Sequence, residues 1–152
     1  MKKLLFTIII IAFAGITLHG QENQKGRIEA EKIAFFTRRM DLSPEEAKLF
    51  WPVYNDYVSR RNKIRLDKNN LLKYLNQNYK NLDDKELEKS GDKVIAYTVE
   101  EAMLTQNYHK KFKEILPPFK VIMIYQTETQ FNRILLEQLR NRRSKQQAIR
   151  RR

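Results

Sequence analysis

The sequence predicts an all-α protein of four helices, one short and three long. No stretch alternates apolar and polar residues with the period of two that marks a half-buried strand. Two helix-start signatures, Ser43 to Glu46 and Asp83 to Glu86, precede runs of helical periodicity. The pair Pro117 and Pro118 then breaks the chain between two further apolar runs. Composition agrees: 152 residues, 41% hydrophobic and 32% charged, with four Gly and four Pro, suit one folded domain rather than a disordered chain.

The first 20 residues read as a cleaved signal peptide: Lys2 and Lys3, an apolar run from Leu4 to Leu18, then Gly20 as the small residue before the cut. The alternative, an uncleaved anchor, needs about 20 apolar residues to span a bilayer. This run has 15, interrupted by Thr7, Gly15 and Thr17. The chain has no cysteine to carry a lipid or form a disulfide, so the exported protein must hold its fold by packing alone. Residues 21–26 read as a flexible start, and a helical domain follows over 27–139.

Within that domain, a short helix over Arg27 to Met40 places Ile28, Ile33, Phe36 and Met40 on a rough apolar stripe. The second helix opens on Ser43 as N-cap, Pro44 at the first helical position and Glu46 closing a capping box. Ala47, Phe50, Tyr54, Tyr57, Arg61, Ile64, Lys68, Leu71 and Leu75 then alternate steps of three and four, the period of a helix packed lengthwise on another. Pro52 removes one backbone hydrogen bond and predicts a bend near residue 48. A third helix starts at the Asp83 box, with Leu87, Val94, Ile95, Ala102, Met103, Phe112 and Leu116 as candidate core and a weak turn at Ser90 and Gly91. Pro118 opens a fourth, with Val121, Ile124, Phe131, Leu135 and Leu139 as its core. From Arg140 to Arg152, seven of 13 residues are basic and none is acidic, which predicts a self-repelling disordered tail; a helix end whose charges suit the dipole is the alternative.

The formal charge is +12, and loss of Lys2 and Lys3 leaves +10. Inside a cell such a charge would point to nucleic acid. Export removes that partner and leaves acidic polypeptides, anionic lipid headgroups or lipopolysaccharide. No enzyme is expected. After the signal, His109 is the one histidine, and no serine lies in a nucleophile motif. The carboxylate pairs, such as Glu100 and Glu101, are neighbours on a helix and point apart. No cofactor or metal is expected either: His109 has no tight set of ligands around it. Trp51, Phe50, Tyr54 and Tyr57 could form a stacking platform, but their spacing behind a cap favours core anchors. What remains is a surface. Arg38, Arg39, Arg60, Arg61, Lys63, Arg65 and Lys68 are the candidate client-binding residues, where charge draws in acidic segments and apolar neighbours hold them.

The segment Leu42 to Tyr54 and the break Leu116 to Lys120 resemble the Spy/CpxP-like family of exported helical proteins, in the branch described as sensors of extracytoplasmic-function sigma factors. Family members carry two Leu-Thr-x-x-Gln boxes. The first corresponds here to Leu42, Ser43 and Glu46, with Pro44 between; the second corresponds to Leu116, Pro117 and Lys120, keeping only the leucine. The resemblance implies a curved antiparallel helical hairpin, a homodimer, periplasmic location and ATP-independent binding of unfolded envelope proteins. It also allows a signalling subunit that acts on a regulator of a sigma factor. A third reading, from another class, is a polyanion- or membrane-surface-binding protein driven by the basic tail.

If export proceeds as the signal predicts, mass spectrometry of envelope fractions finds an N-terminus at or near Gln21. The intact 152-residue chain in the membrane pellet would contradict it.

Overall fold

The computed structural model describes residues 26–150; residues 1–25, on which the expected signal peptide falls, and the last two arginines lie outside the described residues. Among the described residues the fold is all-α, with four α-helices, one short 3-10 turn and no strand. Helix α1 spans 26–40, α2 Pro44–Asn78, α3 Asp84–Ile115 and α4 Pro118–Arg150, with the 3-10 turn Tyr79–Asn81 between α2 and α3. Where one domain was expected, the helices form two compact units, one of Ser43–Ile122 and one that joins 26–42 to 123–150. Helix α4 gives its first turn to the former and its remainder to the latter.

Local chemistry sets the helix ends. Helix α1 stops because Asp41 takes a left-handed conformation at φ 49°, after which Leu42 N–H reaches the Thr37 carbonyl at 3.0 Å and Asp41 N–H the Arg38 carbonyl at 3.4 Å. That pair of bonds satisfies carbonyls that a helix end leaves open. Both predicted capping boxes are formed. Ser43 Oγ accepts from Glu46 N–H at 3.2 Å and Glu46 Oε2 from Ser43 N–H at 2.8 Å. Asp83 Oδ1 accepts from Glu86 N–H at 2.7 Å and Glu86 Oε2 from Asp83 N–H at 3.1 Å. Helix α2 continues through Pro52, and α3 stays α-helical through the weak turn read at Ser90 and Gly91.

In the Ser43–Ile122 unit, α2 and α3 run in opposite directions. Phe50 meets Phe112 with ring centroids 5.9 Å apart, Tyr57 meets Tyr108 at 5.2 Å, Arg65 bonds to Glu101 and Lys68 to Thr98, so partners later on α2 sit earlier on α3. The stripe read from α2 holds: Phe50, Tyr54, Tyr57, Arg61 and Ile64 are buried, and Ala47, Lys68, Leu71 and Leu75 are half-buried. On α3 the buried residues are Tyr108 and Phe112, followed by Leu116 at the C-cap. Ile95, Ala102 and Met103, expected in the core, are exposed, because α3 packs through the line Val94, Tyr97, Glu101, Leu104 and Tyr108 instead. Trp51 is only half-buried, packed edge-on to Phe50 and Tyr54.

In the other unit, Phe36, Met40, Leu42, Ile124, Thr127 and Phe131 are buried. Phe131 is contacted by both Phe35 and Phe36, at 5.7 and 6.3 Å between centroids. Ile33 and Leu139, placed in the core by periodicity, are exposed. The expected disordered tail is instead helical as far as Arg150, with every side chain of residues 140–150 exposed; residues 151 and 152 of that tail lie outside the described residues. No Pro or Gly follows Pro118, and Arg, Lys, Gln and Ala are good helix formers, so propensity and the favourable dipole outweigh self-repulsion.

A Cβ at Gly91 would meet nothing within 4 Å. Gly91→Ala is therefore expected to stabilise the protein by about 0.5–1 kcal/mol. Phe50→Ala should cost about 3–5 kcal/mol, and the half-buried Trp51 less. Urea unfolding of the three variants checks both signs and the order.

Candidate functional site

The seven cations singled out by the sequence fall in two places. Arg38 and Arg39 lie in the last turn of α1 and are exposed. The other five lie on α2. Arg60 and Arg65 carry surface ion pairs, Arg60 with Asp56 at 2.9 Å and Arg65 with Glu101 at 2.6 Å, and Lys68 donates to Thr98 Oγ1 at 2.8 Å. Lys63 is exposed, without an ion-pair partner among the described residues. Arg61 is the correction. Only 9% exposed, it lies 4.7 Å from the Tyr57 ring centroid and belongs to the interior. Arg60 and Arg61 are successive residues, about 100° apart around the helix, so one faces solvent when the other faces α3.

Arg61 anchors a polar chain through the helix pair. Its Nη1 donates to Tyr57 Oη at 3.2 Å. Tyr57 Oη lies 3.1 Å from Thr105 Oγ1, whose own proton goes to the Glu101 carbonyl at 2.9 Å, so the tyrosine is the donor between them. Beside this chain, Asp56 accepts from Arg60 Nε through Oδ1 and from the Tyr108 hydroxyl through Oδ2. The Tyr108 hydroxyl and then Arg60 hold the Asp56 carboxyl below its ordinary value of 3.8. Burial and then the bond to Asp56 push Tyr108 above its ordinary 10.0.

The motif residues serve as structure. Leu42 and Leu116 are buried, Ser43 is the cap and Pro44 opens α2. Pro117 accepts from Val121 N–H at 3.1 Å, the first helical bond into α4. Lys120, which replaces the expected glutamine of the second box, donates to Glu46 Oε2 at 2.6 Å. The substitution is thus matched across the unit: the acid of one box binds the base of the other. Lys120, then the Ser43 amide, lowers the Glu46 carboxyl below its ordinary 4.5.

One surface was missed by the sequence reading. Ile95, Val99 and Met103 follow one another by four residues on α3 and are 63%, 52% and 59% exposed. They flank an open groove of about 490 Å³ bordered by Ile64, Ala96, Val99, Met103 and Leu104, with Glu100 and Asn107 as its polar members. Lys63, exposed, neighbours Ile64 on α2. The signal was present in the sequence: α3 has two apolar lines, through Val94 and through Ile95, and a single partner helix can cover only one.

Comparison with family models, with curated proteins and with solved structures finds no match for this chain. Among the described residues no helix is long and apolar enough to cross a membrane.

The linkage of the Asp56–Tyr108 pair gives opposite signs at the two ends of the pH scale. A lowered carboxyl stabilises the fold above its unfolded value near 3.8 and loses that contribution as pH falls through the folded value. A raised tyrosine stabilises below its unfolded value near 10.0 and loses that contribution as pH rises toward the folded value. Thermal unfolding should therefore show a plateau falling at both edges. Asp56→Asn should flatten the acid edge, and an unchanged acid edge in that variant would contradict the assignment.

Proposed function

We propose that this protein is an exported holdase that binds unfolded or partly folded envelope proteins in the periplasm without ATP, working as a homodimer. The observation that carries the reading is the uncovered apolar line Ile95, Val99 and Met103 beside its groove. Contiguous apolar surface on a folded domain marks an interaction site, and this one lies beside the exposed Lys63 of α2. The net positive charge draws acidic segments toward the protein, and the apolar line then holds exposed hydrophobic residues with little regard to their order. The resemblance of Leu42, Ser43 and Glu46 to the first box of the Spy/CpxP-like family supports the same reading, while the longer segment Leu42 to Tyr54 is the one shared with the sensor branch. The absence of cysteine suits it as well, since no thiol is needed to capture a client.

Purified protein should suppress aggregation of several unrelated unfolding proteins at low salt without nucleotide. Capture should slow as salt shortens electrostatic reach to about 8 Å near physiological ionic strength. Val99→Glu combined with Met103→Glu should raise the amount of protein needed more than about fivefold, the factor that one lost kcal/mol of apolar contact gives. Lys63→Glu should slow capture only. Arg61 is excluded from such charge reversals because it is buried. Suppression lost on removal of residues 140–152 and untouched at Val99 and Met103 would favour the polyanion-binding reading. No suppression, with tight binding of one envelope protein, would favour a signalling subunit.

A further inference from the structure

The unit that joins 26–42 to 123–150 has a second concavity of different chemistry. An open cleft of about 560 Å³ is lined by Arg39, Tyr125, Gln126, Thr129, Gln130 and Arg133. Arg39 comes from the last turn of α1 and the other five from α4, where they recur at steps of three and four along one face. None of the lining side chains is acidic; the two arginines and the amides of Gln126 and Gln130 carry donors, while the Thr129 hydroxyl already donates to the Tyr125 carbonyl at 2.8 Å. Both arginines are exposed and, among the described residues, neither has an ion-pair partner.

We infer that this cleft is a phosphate-binding site, taking the phosphate of a free anion or of an anionic lipid headgroup. Two guanidinium groups from different helices line the cleft together with the side-chain amides of Gln126 and Gln130, so donors come from more than one element. That arrangement matches the oxygens of a tetrahedral anion, whereas a planar carboxylate is satisfied by one guanidinium fork. The neighbouring concavity along α4 shows the contrast: it shares Thr129 and Arg133 but includes Glu137, one turn from both Arg133 and Arg140, so a carboxylate is already present there. The site is separate from the apolar line on α3 and does not rest on the holdase reading.

The test titrates the protein with pyrophosphate, with succinate, and with vesicles of phosphatidylglycerol or of phosphatidylcholine, following amide chemical shifts and vesicle co-sedimentation. Pyrophosphate should move the signals of residues 126–133. Arg39→Gln and Arg133→Gln should each weaken binding about tenfold, a reasonable share of one charge-assisted bidentate contact. Arg38→Gln, an exposed neighbour outside the cleft, should change it less than about twofold. Circular dichroism of each variant separates lost binding from lost fold. Phosphatidylglycerol binding that pyrophosphate displaces, and that falls with the same two variants, assigns the headgroup; pyrophosphate binding alone assigns the free anion. Equal loss in all three variants, succinate bound as tightly as pyrophosphate, or no binding of any phosphate probe would overturn the site.

Discussion

Two helices packed against each other can hide only one stripe apiece, and the aromatic seam between α2 and α3 is what makes that stripe sufficient. Phe50 and Tyr57 from α2 meet Tyr108 and Phe112 from α3 with ring centroids 5.2 to 6.0 Å apart, and Tyr54 extends the seam by stacking on Phe50 at 5.1 Å. Rings bury more apolar area per residue than aliphatic side chains, which matters where the interface is one residue wide. Once those five rings fix the rotation of each helix, the rest follows. Arg61 must point inward, where its Nη1 donates to the Tyr57 hydroxyl, which in turn reaches Thr105. Ile95, Val99 and Met103, displaced around α3, must remain at the surface.

Polar bonds close the ends that the seam leaves open. Each long helix of this unit begins with a complete capping box, and Glu46 is shared: it closes the first box and binds Lys120 in the opening turn of α4. Glutamines at both positions would make a neutral bond where here both partners are charged, and charge-assisted bonds are shorter and stronger. The acid at position 46 and the base at position 120 are therefore a complementary pair that ties the start of α2 to the start of α4.

The helices and their starts were legible because caps and prolines act within four residues, a range that sequence displays directly. The α2 stripe was legible as well, since its steps of three and four single out one face. Arg61 stood on that stripe and also among the surface cations; only the position of the Tyr57 ring decides between the two. Tyr108 was hidden in the polar run Gln106 to Lys111, and its burial depends on Asp56 waiting on the other helix. The two apolar lines of α3 were indistinguishable by period, because period reports that a face is apolar and not whether another helix covers it. The basic end of α4 was misjudged for a related reason: charge repulsion was weighed without the strong helix preference of the same residues.

The central claim is that the uncovered line on α3 receives client chains. Site-specific photocrosslinking tests it most directly: a benzophenone side chain placed at position 99 or 103, and for comparison at exposed position 55 or 62 of α2, is irradiated with an unfolding client present. Crosslinks concentrated at 99 and 103 for several unrelated clients are the result expected. Equal yields at all four positions, or none at 99 and 103, would contradict the account.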